Sequence, residues 1–117
     1  MKIGFNFNGA RVTASLEDNA TSRDLIAMLP LTLRLEDFAA TEKIAYLPQK
    51  LDTAGAPSGI APDAGDLAYY APWGNLAFFH ADFFHSPGLV KFGHIDRGLA
   101  ALRTAGSAEV IIECEED

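Results

Sequence analysis

The sequence predicts a mainly β fold: a closed antiparallel barrel with two short capping helices. Three observations carry this expectation. The chain opens with period-two alternation on both sides of an Asn-Gly pair. Most later apolar segments are short and end at Gly, Pro or Asn. Only two segments read as helical, and the connections elsewhere are too short for the crossovers that parallel strands require.

The elements follow in order. Ile3, Phe5 and Phe7 alternate with Lys2, Gly4 and Asn6, and Val12, Ala14 and Leu16 alternate with Arg11, Thr13 and Ser15. Asn8-Gly9 between them predicts a hairpin. The period then changes. Thr21 with Asp24 resembles a capping box, and Leu25, Met28 and Leu29 form one apolar stripe of a helix of about two turns. Pro30 ends it, because the residue before a proline is pushed out of the helical region. Leu31, Leu33 and Leu35 alternate as a third strand, and Ala45-Tyr46-Leu47 gives a short strand before Pro48. Residues 52–65 are rich in Gly, Pro and small side chains and predict a long loop rather than a domain linker. Leu67–Ala71 and Leu76–His80 are strands joined by a turn at Pro72-Trp73-Gly74-Asn75, and Leu89–Ile95 is another, broken by Gly93. Leu99 and Leu102 mark the second helix, ending near Gly106. Glu109–Glu113 closes the chain as a strand, with Val110, Ile112 and Cys114 on one face.

The chain has 117 residues, the size of one ordinary domain, and 49% are hydrophobic, which excludes a disordered chain. The net charge of −7 disfavours nucleic acid and an anionic membrane surface, since both need basic residues against phosphate. Glu113, Glu115, Glu116 and Asp117 are expected to form a solvated, frayed end. The single cysteine, Cys114, excludes an internal disulfide. The N-terminus has no apolar signal core and no apolar run approaches membrane-spanning length, so a cytoplasmic location is expected.

Several segments together carry a family resemblance: Leu16–Thr21, Leu29–Leu33, Glu42–Pro48, Gly65–Tyr70, Trp73–Phe79 and Gly93–Asp96. In order and spacing they resemble the bacterial and archaeal cyclophilin-like fold proteins, a family of small β-barrels, from about Met1 to Leu102. The resemblance implies a barrel of about eight strands closed by two helices. Prolyl isomerase activity does not follow from it. The Phe-His-Arg and Phe-x-x-Gln-x-Gly-Asp patterns of true cyclophilins are missing from the sequence, and Arg34 alternates outward from the Leu33/Leu35 face.

The candidate binding residues are Tyr46, Tyr69, Tyr70 and Trp73, with His94 and Asp96. Tyr and Trp pair a large apolar face with one polar atom, which suits a ligand groove at the barrel edge. On one strand His94 and Asp96 share a face and could pair, the carboxylate fixing the imidazole tautomer. His80, Asp82 and His85 match no standard zinc spacing, so no metal is expected, and no cofactor motif is found. No catalytic residue is assigned. Glu36 and Asp37 read as solvated charges, and the acidic neighbours of Cys114 make it a poor nucleophile. The leading expectation is a binding module for a small molecule or extended peptide. The alternatives are a prolyl isomerase-like enzyme, a small-molecule hydrolase-like enzyme by analogy with related barrels, or a homo-oligomer formed through Phe83 and Phe84 in a predicted loop.

Overall fold

Residues 1–115 are described by a computed structural model. Asn8 (φ 50°) and Gly9 (φ 83°) both take the left-handed conformation that a tight two-residue hairpin demands, so β1 (Lys2–Phe7) runs directly back as β2 (Ala10–Leu16). The following elements are α1 (Ala20–Met28), β3 (Leu31–Phe38), β4 (Glu42–Tyr46), β5 (Gly59–Ile60), β6 (Asp66–Tyr70), β7 (Asn75–Phe79), β8 (Ser86–Pro87), β9 (Leu89–Arg97), α2 (Leu99–Leu102) and β10 (Ala108–Cys114). Eight of the strands close into an antiparallel barrel in the order β1-β10-β3-β4-β7-β6-β9-β2. The mainly β barrel with two short helices is therefore the observed fold. Strands β5 and β8 pair outside it as a small two-stranded ribbon.

Alternation fills the interior. Ile3, Phe5, Phe7, Val12, Ala14, Leu33, Leu35, Leu67, Tyr69, Leu76, Phe78, Phe92, Val110 and Ile112 form one buried cluster. Phe5 and Phe78 meet edge to face at 5.4 Å. Leu25 of α1 and Leu102 of α2 join the same cluster, which is how the helices cap the barrel.

One interior position is charged. Lys43 of β4 is fully buried. Its Nζ donates to Asp37 Oδ1 (2.5 Å), to the Thr104 carbonyl (2.8 Å) and to the Gly106 carbonyl (2.7 Å), and it lies 5.1 Å from the centre of the Phe7 ring. All three ammonium protons are thus satisfied, the condition for burying such a charge. Asp37 also accepts from the Gly106 amide (2.7 Å). That bond and the Lys43 ammonium hold its carboxyl below the usual carboxylate range, so Asp37 is no idle solvated charge.

The structure corrects several local expectations. Asn19, not Thr21, caps α1, its side chain accepting from the Ser22 amide at 2.9 Å; Asn is the better cap. Thr21 instead donates to the Asp52 carbonyl, and Asp24 accepts from the Asp52 amide, tying the next loop to the helix. Strand β4 begins three residues before Ala45, at Glu42. Strand β9 is not broken at Gly93. It runs on to Arg97 with an irregularity at Phe92, and Gly93 is needed because a Cβ there would lie 2.7 Å from the Ser15 carbonyl. Cys114, opposite Ile3, keeps the face of Val110 and Ile112 but is exposed at the end of β10 rather than buried. Of the acidic C-terminus, Glu113 and Glu115 both pair with Arg11, while Glu116 and Asp117 lie outside the described residues.

Replacing Lys43 with Met removes the ammonium and strands the groups around it. Breaking a buried pair of this kind costs about 3–5 kcal/mol. Urea unfolding of Lys43→Met is expected at a clearly lower midpoint with an unchanged slope; a loss under about 1 kcal/mol would show that the ammonium is not a structural tie.

Candidate functional site

Strands β4, β6 and β7 are buried on both faces, which an antiparallel barrel with a solvated exterior would not require. Along β7, Leu76 and Phe78 point inward, so Asn75, Ala77 and Phe79 point out. On β4 the inward Lys43 and Ala45 leave Glu42 and Ile44 outside. Ile44, Ala68, Ala77, Phe79 and Leu89 form a second buried cluster on the outer surface, with Ile60, Tyr70 and Phe83 against it.

Above this cluster lies a hollow of about 260 Å³. One wall is an aromatic arc. Trp73, in the β6–β7 turn, meets Phe38 at 5.5 Å and Tyr70 at 5.3 Å, edge to face in both cases. The other wall is Phe79, Phe83 and Phe84, with centroids 6.0 Å and 4.0 Å apart in succession. Phe83 and Phe84 sit on the segment after β7, which the 52–65 loop braces. The Phe83 amide donates to the Pro62 carbonyl (3.0 Å), the Ala64 amide to Asp82 Oδ1 (2.8 Å) and the Gly88 amide to the Ser58 carbonyl (2.8 Å). Gly59–Ile60 pairs with Ser86–Pro87 across the same gap. The predicted long loop is therefore partly a ribbon that holds one wall of the hollow.

Two buried polar side chains line the hollow, Glu42 (6% exposed) and Asn75 (2% exposed). The side-chain carbonyl of Asn75 has no hydrogen-bond partner. Glu42 opposes Phe79 and Asn75 opposes Tyr46 in the β4–β7 ladder, so they stand roughly 13 Å apart along the strands at ~3.3 Å per residue. Burial pushes the Glu42 carboxyl up to about 7, with the Thr41 hydroxyl pulling partly the other way.

Of the residues singled out in the sequence, Tyr70 and Trp73 come together here. Tyr69 is inside the barrel, its hydroxyl accepting from the Leu51 amide (3.1 Å). Tyr46 is exposed and outside the lining. His94 and Asp96 do not pair. The second irregularity of β9 falls at Asp96, which accepts from the Ser15 hydroxyl (2.6 Å), while His94 Nδ1 lies 3.3 Å from Asp66. Asp66 also pairs with Lys91. Among the described residues no three His, Cys, Asp or Glu side chains are grouped to hold a metal ion, and no helix is long and apolar enough to cross a membrane. Glu42, Asn75, Phe38 and Phe79 were not singled out by sequence reasoning. Unbroken apolar runs in β6 and β7 were the signal that something covers their outer face.

The profile of the Cyclophilin-like family matches residues 5–113. The chain belongs to the cyclophilin-like family. No curated protein matches it. Among solved structures, this cyclophilin-like barrel is similar to the solution structure of a hypothetical protein from Archaeoglobus fulgidus, with a TM-score of 0.71 and 17% identity over 98% of this chain and 95% of that one. That likeness is one of fold. Arg34 of this cyclophilin-like chain faces outward, within 3.6 Å of Glu36, and does not line the hollow.

A carboxyl whose folded value lies above its unfolded one stabilises the fold fully below about pH 4.5, and that contribution fades as pH rises through 7. Glu42→Gln is therefore expected to be near neutral at pH 4.5 and stabilising at pH 8, by on the order of 2–3 kcal/mol at ~1.4 kcal/mol per unit. Denaturation of both proteins across this range tests it, with a ¹³C titration of the Glu42 carboxyl. A midpoint near 4.5 would show the carboxyl to be fully hydrated.

Proposed function

We propose that this cyclophilin-like protein is a binding module that holds a small molecule in the outer-face hollow of its barrel. The observation that supports this most is the buried Asn75 carbonyl without a partner, set in a hollow lined mainly by aromatic and aliphatic side chains. Buried polar groups are almost always hydrogen-bonded, and one left open at the floor of a concave apolar site suits a ligand's donor. The volume is just below the ~300–1,000 Å³ of drug-sized pockets, so a fragment-sized ligand fits.

An enzymatic role draws less support from the same geometry. Glu42 and Asn75 stand roughly 13 Å apart on the ladder, and no nucleophile stands beside either in the lining. They suit the two ends of one ligand instead. Binding to the folded state alone raises thermal stability. A fragment screen by thermal shift and ligand-observed NMR is therefore expected to yield hits that raise the melting temperature by a few degrees and that Trp73→Ala weakens at least ten-fold. A screen without hits, or hits indifferent to both Trp73→Ala and Phe79→Ala, would remove the hollow as the binding site.

A further inference from the structure

We propose that the ligand of the hollow is a small organic cation, an arylammonium, alkylammonium or amidinium, whose charged nitrogen sits at Glu42 and whose body lies against the aromatic walls. This deepens the proposed function and rests on the hollow being a binding site.

The charge pattern is the first argument. Glu42 lines the hollow, and no Lys, Arg or His does. Its neighbour Lys43 is turned into the barrel and already committed to Asp37 and two carbonyls. The Glu42 carboxylate is thus buried at a hydrophobic surface with no basic partner, the arrangement a cationic ligand completes. The walls agree with this. Aromatic rings attract a cation through their quadrupole, and Phe38, Trp73, Phe83 and Phe84 all line one small volume. The far end agrees as well. The open group of Asn75 is an acceptor, so it too asks for an N–H or O–H. An anion would meet the Glu42 carboxylate with no basic side chain in the lining to offset it. The net charge of −7 favours cations at longer range. Occupation by a cation returns Glu42, whose carboxyl otherwise titrates at about 7, to its ionised form and releases a proton in the neutral range.

The test uses the full chain at pH 8 and two shape-matched pairs, benzamidine with benzamide and phenethylamine with phenethyl alcohol, followed by two-dimensional NMR. Each cation is expected to bind at least ten-fold tighter than its neutral partner, shifting the Trp73 indole and the Asn75 backbone amide. Glu42→Gln should reduce that preference below three-fold, while Glu42→Asp, which keeps the charge, should retain it. Equal binding within each pair, or a preference that survives Glu42→Gln, overturns the cation assignment and leaves the hollow a binding site for neutral ligands. Binding by none of the four, together with a silent fragment screen, overturns both.

Discussion

The buried ammonium of Lys43 fixes more of this molecule than any other single group. Side chains alternate along a strand, so a residue that must face the interior dictates the face of every neighbour. Lys43 has three oxygen acceptors waiting inside the barrel, from the end of β3 and the turn before β10. A slip of β4 by one residue would put the ammonium on the apolar outer cluster and the Glu42 carboxyl among the acceptors. Both changes are prohibitive. The charge inside therefore sets the register of β4 against β3 and β7, and the carboxyl outside is its corollary.

The same parity explains why the hollow exists. Most outward residues of β6 and β7 (Ala68, Tyr70, Ala77 and Phe79) are apolar or aromatic, and water alone would not cover them. The segment after β7 folds back with Phe83 and Phe84, and the 52–65 loop pins it by backbone bonds and the β5–β8 ribbon. Neither segment has a core of its own. Each is ordered by the other and by the outer cluster, which leaves the concave gap between Phe83–Phe84 and the Trp73 arc. Connections ordered in this way over a rigid barrel are where binding residues are commonly carried.

How much of this was legible in the sequence differs by element. The first hairpin and the alternation of β3 were plain, because apolar residues there face one way and polar residues the other. The start of β4 was not, because its inward residue is a lysine and its outward Glu42 is buried; both reverse the usual pattern. Trp73 and Tyr70 were recognisable as candidates from residue type and position at a turn. Glu42 and Asn75 were not, since nothing local tells a buried carboxyl from a solvated one. The expected His94–Asp96 pair failed for a related reason: the strand irregularity that turns Asp96 toward Ser15 depends on pairing with β2, which no local spacing encodes.

The cost of Glu42 is itself an argument about the site. A glutamine would fill the same volume and carry no charge to desolvate, so packing alone gives no reason for a carboxyl there. The barrel does not use it either: the ion pairs that tie its strands are those of Lys43, Asp66 and Arg11. A group that weakens the folded state above neutral pH and joins none of those ion pairs is the kind of local inconsistency found where stability is exchanged for function. The position supports the same conclusion. Had the carboxyl stood on the exposed rim, like Glu36, its charge would be hydrated and of little use in discriminating ligands. On the floor of an apolar hollow, the same charge acts in a poorly screened medium, where a matched partner gains most and a mismatched one is excluded.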